Sequence, residues 1–317
     1  METELSAKKV FLTVFLLLSL SFLILVGTAR SQSSITTIFI QSDGNVVPQN
    51  VPIQRDGDTY TFNGNVYDPI LIQKSNITLD GAGYSLIGTL SEEQKNSEPI
   101  LGLGPNTTFS ILYVIGIDLD KNVSGVTIKN VNIGNFSVGI YVRTTHNTLI
   151  NNKISDNIVG ILLSGSSDTI GKNYIDNNKQ GLFFGFQQIN GSANNIPSDI
   201  KVSLNSFVNN TQQLSGCVCK QYNFSEIKHS WDDGKQGNYW SDYNGTDNDH
   251  DGIGDTPFII DVLNQDRYPL TQSVVSPPVP SKASQIPIDL LVLGIVVPLM
   301  VIVVVVFLLK KRKNVKV

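Results

Sequence analysis

Four aspartates stand at short, regular intervals in Asp247-Asn248-Asp249-His250-Asp251-Gly252-Ile253-Gly254-Asp255. Counted from Asp247, carboxylates fall at positions 1, 3, 5 and 9, glycine at 6 and the backbone carbonyl of Ile253 at 7. This is the ligand order of a calcium loop. Hard Ca2+ gathers several oxygens, and it relieves the repulsion between carboxylates packed this closely. Position 12 is Phe258, where an EF-hand places a bidentate glutamate. Asp261, Asp266 or water is then needed to complete the shell, and affinity falls in the extracellular range of roughly 0.1 to 1 mM. The alternative is an acidic, solvated turn. The expected ligands are Asp247, Asp249, Asp251, Ile253 and Asp255, and the expected cofactor is calcium.

Just upstream, Trp231-Asp232-Asp233-Gly234 and Gly237-Asn238-Tyr239-Trp240-Ser241-Asp242-Tyr243 hold both tryptophans of the chain. Sugar clefts use such rings for stacking and such carboxylates for hydroxyls, so Trp231, Asp232, Tyr239 and Trp240 form a candidate carbohydrate site. The competing and preferred reading is a cap, because the open end of a solenoid exposes strand edges that must be covered.

Carboxylates elsewhere raise the question of catalysis. A glycosidase needs two, about 5 or about 6.5 to 9.5 Å apart. Asp156 and Asp176 are a near-repeat apart, Asp118 and Asp120 lie upstream, and Arg143 is the arginine of the repeats. A lyase would combine Ca2+ with Arg143. Asp156 and Asp176 are read as equivalent corner residues, as solvent-facing structural positions are, and polygalacturonase-type motifs are absent. Binding and structural roles are therefore preferred to an enzyme. Cys217-Val218-Cys219 is the only cysteine pair. Residues two apart on a strand form a strained disulfide, which leaves buried small residues, a surface thiol pair or a Cu(I) site.

The elements that position these groups repeat. Residues 151–162 match residues 172–183 at a shift of 21, Gly139-Ile140-Tyr141 precedes Gly160-Ile161-Leu162 by the same step, and Asn205-Ser206-Phe207 resumes the pattern after an insertion of about 11 residues. Runs of alternating apolar and polar residues, rich in β-branched side chains, have a strand period. Asn, Asp, Ser and Gly fill the corners, where left-handed backbone is cheap for them. Units this short cannot close a core alone and must stack. The expected fold is all-β, a right-handed single-stranded parallel β-helix over residues 31–270. Asn130, Asn152, Asn173 and Asn205 are expected to form a hydrogen-bonded ladder at one corner. Residues 35–75, with turns at Gly44, Gly57 and Gly64, close the first end. Residues 88–110 and 187–199 read as projecting loops.

Residues 10–26 are almost wholly apolar after Lys8 and Lys9, so residues 1–30 read as a signal peptide or an N-terminal anchor. Residues 271–287 form a proline-rich stalk, and Ile288 to Leu309 is a 22-residue apolar run. Such a run reads as a C-terminal transmembrane helix, and the basic residues 310–317 stay in the cytoplasm. The ectodomain is then extracellular at the cell membrane. Residues 31–287 carry 15 Lys and Arg against 24 Asp and Glu, a formal −9, against −4 for the whole chain. That balance argues against nucleic acid as a partner and leaves cell-surface glycans or envelope proteins. Eight glycosylation sequons begin at Asn76, Asn106, Asn122, Asn135, Asn190, Asn209, Asn223 and Asn244, though an Asn- and Ser-rich repeat also makes sequons by chance.

Asp80-Gly81-Ala82-Gly83, the Asn-rich coils, the tryptophan segments, Asp251-Gly252-Ile253-Gly254-Asp255-Thr256-Pro257 and Asn264-Gln265-Asp266-Arg267-Tyr268-Pro269-Leu270 together resemble the NosD-like parallel β-helix proteins of archaeal cell surfaces, over roughly residues 36–270. The resemblance implies a β-helix of the carbohydrate-binding and sugar-hydrolase repeat type. It also implies copper binding, from which this chain departs: its methionines are Met1 and Met300, and His146, His229 and His250 are scattered. Copper is not carried over. The function expected is structural, adhesive or glycan-binding at the cell surface, with a polysaccharide lyase or glycosidase as the alternative.

Overall fold

The computed structural model describes residues 36–97, 114–185, 187–189, 192–216 and 227–273. The N-terminal segment 1–30, most of the stalk, the apolar run 288–309, the basic tail and the Cys217–Cys219 pair lie outside them. Among the described residues no helix is long and apolar enough to cross a membrane.

One turn of chain runs Thr127–Lys129, corner, Asn132–Gly134, corner, Val138–Val142, corner, and returns to Thr148–Ile150 directly beside its start. Each turn adds one strand to each of three sheets of eight, six and seven strands. Neighbours from successive turns are parallel; in the middle turns the partners are 21 residues apart until the insertion makes the step 32, as in Thr148↔Thr169↔Lys201, while the earlier step Thr78↔Thr127 is 49. This is the expected parallel β-helix.

Strand alternation sends one residue of each short strand inward. Ile128, Leu149, Ile170 and Val202 stack in one column, Ile133, Ile154, Ile175 and Phe207 in a second, and Ile140, Ile161, Leu182 and Leu214 in a third. Nearly all are fully buried. Two antiparallel pairs, Ile38–Ile40 with Val46–Val47 and Ile53–Asp56 with Thr59–Phe62, close the first end. Gly44 and Gly57 take the positive φ of their turns (89° and 60°), whereas Gly64 does not.

The corners follow one rule. A left-handed residue comes first: Asn130, Asn151, Lys172 and Leu204 at one corner, Asn135, Asp156, Asn177 and Asn209 at the next, and His146, Ser167 and Asp199 at the third. The residue after it points inward and, in most turns, is an asparagine. Asn152 Oδ1 accepts the N–H of Val131, Asn173 Oδ1 that of Asn152, Asn205 Oδ1 that of Asn173, and Asn238 Oδ1 that of Asn205, all at 2.9–3.1 Å. A second ladder joins Phe136, Asn157, Asn178 and Asn210. A third joins Val126, Asn147 and Asp168. The expected ladder therefore exists, but Asn130 is not in it. Val131 holds that rung, and Asn130 is the left-handed residue before it, donating to Asp80.

The two expected loops carry some structure. Glu92–Ser97 is a short helix, with Ser91 and Gln94 exchanging bonds at its start as a capping box. Residues 187–189 and 192–195 pair as a hairpin.

Candidate metal centre in the C-terminal cap

The last turn of the helix is covered by residues 227–273. Tyr239–Trp240 extends the second sheet beside Ser206–Val208, so Trp240 falls in the inward column after Phe207. Its indole lies flat between Phe207 and Phe258, with ring centroids 4.5 and 4.6 Å away. Trp231 sits beside it at 6.2 Å. Both indoles are 1 % exposed.

Their N–H groups need acceptors inside the core, and two residues that the sequence did not single out for that purpose supply them. Asn264 Oδ1 accepts Trp231 Nε1 at 3.1 Å, and Asp266 Oδ2 accepts Trp240 Nε1 at 2.9 Å. Asp266 also accepts Asn238 N and Nδ2 and, on Oδ1, Tyr268 N, so this carboxylate ends the first ladder. Burial raises its carboxyl to about 6, against the pull of those donors. A Cβ on Gly237 would collide with the Asp266 carboxylate, which explains the glycine of Gly237-Asn238-Tyr239-Trp240. Asp232 has a nearly buried side chain clamped by Arg267 Nε and Nη2. Burial works to raise its carboxyl, but these bonds outweigh it and hold it below the ordinary range.

Of the candidate sugar residues Trp231, Asp232, Tyr239 and Trp240, three are taken up in the packing of the cap, in keeping with the preferred reading. Neither ring face of Trp240 is free, Trp231 is inside, and Asp232 is committed to Arg267. Tyr239 is half-exposed.

The aspartate loop is sewn to this cap. Ile253 bridges Leu270, which in turn bridges Tyr239. Gly254 N donates to Pro269 O, and Thr271 N to Gly252 O. Left-handed backbone at His250 and Gly252 (φ 61° and 87°) turns the chain back on itself. Ligand atoms of Asp247, Asp249 and Asp251 consequently lie within 4.8 Å of one another. Among the described residues no lysine or arginine pairs with any of the three. Asp247 is partly compensated by the N–H groups of Asp251 and Gly252.

The rest of the expected shell is not assembled. Asp255 turns to the start of the loop, taking Asn248 N, Asn248 Nδ2 and Thr246 Oγ1. Asp261 holds its own turn through Leu263 N and Asn264 N, and Asp266 belongs to the indole and ladder. Ile253 remains in the loop and is fixed by its N–H to Asp251 Oδ1. Glycines 245 and 254 pack on Tyr243, whose hydroxyl donates to Thr256 O.

The other carboxylates are also placed. Asp118 takes Arg143 Nε and Nη2 at 2.9 Å, and Arg143 lies 4.1 Å over the Tyr141 ring. Asp156 and Asp176 are not equivalent. Asp176 pairs in register with Ser155, while Asp156 is a left-handed corner residue like Asn177. Burial, with the neighbouring Asp156, raises Asp176 to about 6 against the effect of Lys153.

These coils and corners are what a comparison with known families detects. Residues 105–245 match the family described as periplasmic copper-binding protein (NosD). No curated protein matches the chain. The NosD match is to a parallel β-helix type of family, in keeping with the three sheets, and to a domain outside the cytoplasmic membrane. It stops before the aspartate loop. Copper prefers imidazole and sulfur ligands. Among the described residues, His229 is buried against Phe184, with burial lowering it to about 4, and His146 is at a distant corner. Among the described residues, the one group of three or more side chains able to hold a metal is the aspartate triad. Its carboxylate oxygens are the donors that hard cations such as calcium take.

Proposed function

We propose that this chain is a β-helix scaffold of the cell surface, held by a C-terminal membrane span and closed by calcium at its C-terminal cap. Its role is structural or adhesive, toward cell-surface glycans or envelope proteins. One observation carries the reading: Asp247, Asp249 and Asp251 converge without a basic partner on a loop sewn to the closing strand. A cation there joins the loop to Leu270 and Thr271 and so holds the cap against the last turn. The test is calorimetric unfolding of the full chain in mild detergent, in millimolar calcium and in EGTA. A ligand at about ten times its dissociation constant adds roughly 1.4 kcal/mol. Calcium should raise the midpoint of the natural chain and leave Asp249→Ala/Asp251→Ala unmoved. A natural chain indifferent to calcium sinks the proposal.

A second reading, polysaccharide cleavage, is favoured by the Asp156/Asp176 pair. One carboxyl is raised toward neutrality beside another on the adjacent turn, the division of labour of a general acid and its partner. If it holds, Asp176→Asn loses at least about a hundredfold in product release from a panel of polysaccharides, while stability at neutral pH is kept or raised. Equal release by the variant dismisses it.

A further inference from the structure

The cap presents an apolar point. Phe258–Ile259 and Gln265–Asp266 form an antiparallel hairpin, whose tip exposes Ile259 by 63 %, Val262 by 89 % and Leu263 by 48 %. Single exposed aliphatics are ordinary, but three within five residues are not. The tip is also built rather than loose. Asp261 Oδ1 accepts Leu263 N at 2.8 Å and Asn264 N at 2.9 Å, and Asn264 is braced to the core by His229 N and by its own bond to Ile227 O. Phe258 and Ile260 pack against the core while Ile259 points away. Exposed Lys228 follows Ile227, and Arg267 lies one residue beyond the hairpin and is 54 % exposed.

We propose that this tip dips into the lipid surface and orients the ectodomain on the bilayer. The inference rests on the membrane-span reading of residues 288–309. The described chain ends at Ser273, seven residues after the hairpin, and 14 residues separate it from the apolar run. Such a spacer reaches roughly 45 Å at most, so the cap is the part of the ectodomain that the anchor holds against the membrane. Exposed aliphatics beside the exposed cation of Lys228 are a composition that settles at a headgroup boundary.

The test reconstitutes the full chain with Val262→Trp in phosphatidylcholine/phosphatidylglycerol vesicles containing brominated lipid. Native Trp231 and Trp240 are buried and supply the baseline. The added emission should fall roughly twofold in brominated vesicles, as for a residue at the acyl boundary. Unquenched added emission from a chain that still floats with the vesicles overturns the tip alone. Emission shifted to the blue without quenching, and dependent on protein density, assigns the tip to a second copy and also overturns it. Failure of the natural chain to float with the vesicles overturns the anchor, and the tip proposal with it.

Discussion

Trp240→Ala lowers the unfolding free energy by about 3–5 kcal/mol, the usual cost of truncating a fully buried large aromatic. The indole is packed on both faces by Phe207 and Phe258 and edges Trp231, so its removal opens a cavity that the regular strands around it cannot collapse. It also takes one donor from Asp266, a buried carboxylate that depends on its N–H partners. Trp240→Phe, which keeps a stacked ring but loses the N–H, should cost less. Urea unfolding of both variants against the natural chain measures the difference. An alanine variant of unchanged stability but altered sugar binding would contradict the cap assignment and restore the stacking platform.

Asp168→Asn stabilises the protein at neutral and higher pH and does little in acid. Asp168 occupies a ladder rung, and its Oδ1 accepts both Asn147 N and Nδ2. On other rungs the amide nitrogen donates to the carbonyl 24 residues back, as Asn152 does to Ile128, Asn173 to Leu149 and Asn178 to Ile154. The counterpart for residue 168 is the carbonyl of Thr144. Thr144 O and Asp168 Oδ2 both lie within 2.7 Å of the point that a Cβ on Gly165 would occupy, yet Oδ2 is buried without a partner. Two acceptors face each other unless the acid is protonated. Burial, opposed only by the Asn147 bonds, raises the carboxyl from 3.8 to about 7.

The sign follows from linkage. A raised acid keeps its proton in the folded state while the unfolded chain loses it, so stability declines as pH rises from about 4 to about 7 and stays lower above that. An asparagine supplies the missing donor and does not ionise. Its advantage grows over the same window to about 4 kcal/mol, three pKa units' worth, and vanishes below pH 4. Thermal unfolding of both proteins from pH 4 to pH 8 checks this. Parallel curves would show that Asp168 ionises freely and that its rung is wetter than described.

The period of 21 made the coils legible, because identical steps leave identical inward residues. The corner rule was half visible. Asparagine is both the cheapest left-handed residue and the ladder residue, so Asn151-Asn152 cannot be ordered from composition, and Asn130 was placed on a rung that Val131 holds. Lys172 and Leu204 take the left-handed position with no sequence cue at all. A one-residue offset likewise hid that Asp156 and Asp176, 20 residues apart, are in different registers. In the cap, tryptophan beside aspartate fits a sugar cleft and a buried plug equally well. What separates them is Asn264 and Asp266, more than 25 residues downstream, which receive the indole N–H groups. The aspartate spacing brought out the cluster of Asp247, Asp249 and Asp251 but not the diversion of Asp255, which reaches back to Thr246 and Asn248.

The most direct test of the calcium-closed cap is hydrogen exchange of the full chain, read on peptides spanning 247–271, in calcium and in EGTA. If the triad holds a cation, the amides of Gly254 and Thr271, bonded to Pro269 O and Gly252 O, exchange on the order of tenfold more slowly in millimolar calcium. Peptides from the coils, such as 148–163, should exchange alike in both. Equal exchange across 247–271 in calcium and EGTA would contradict the account and leave the loop as an acidic turn held by its own hydrogen bonds.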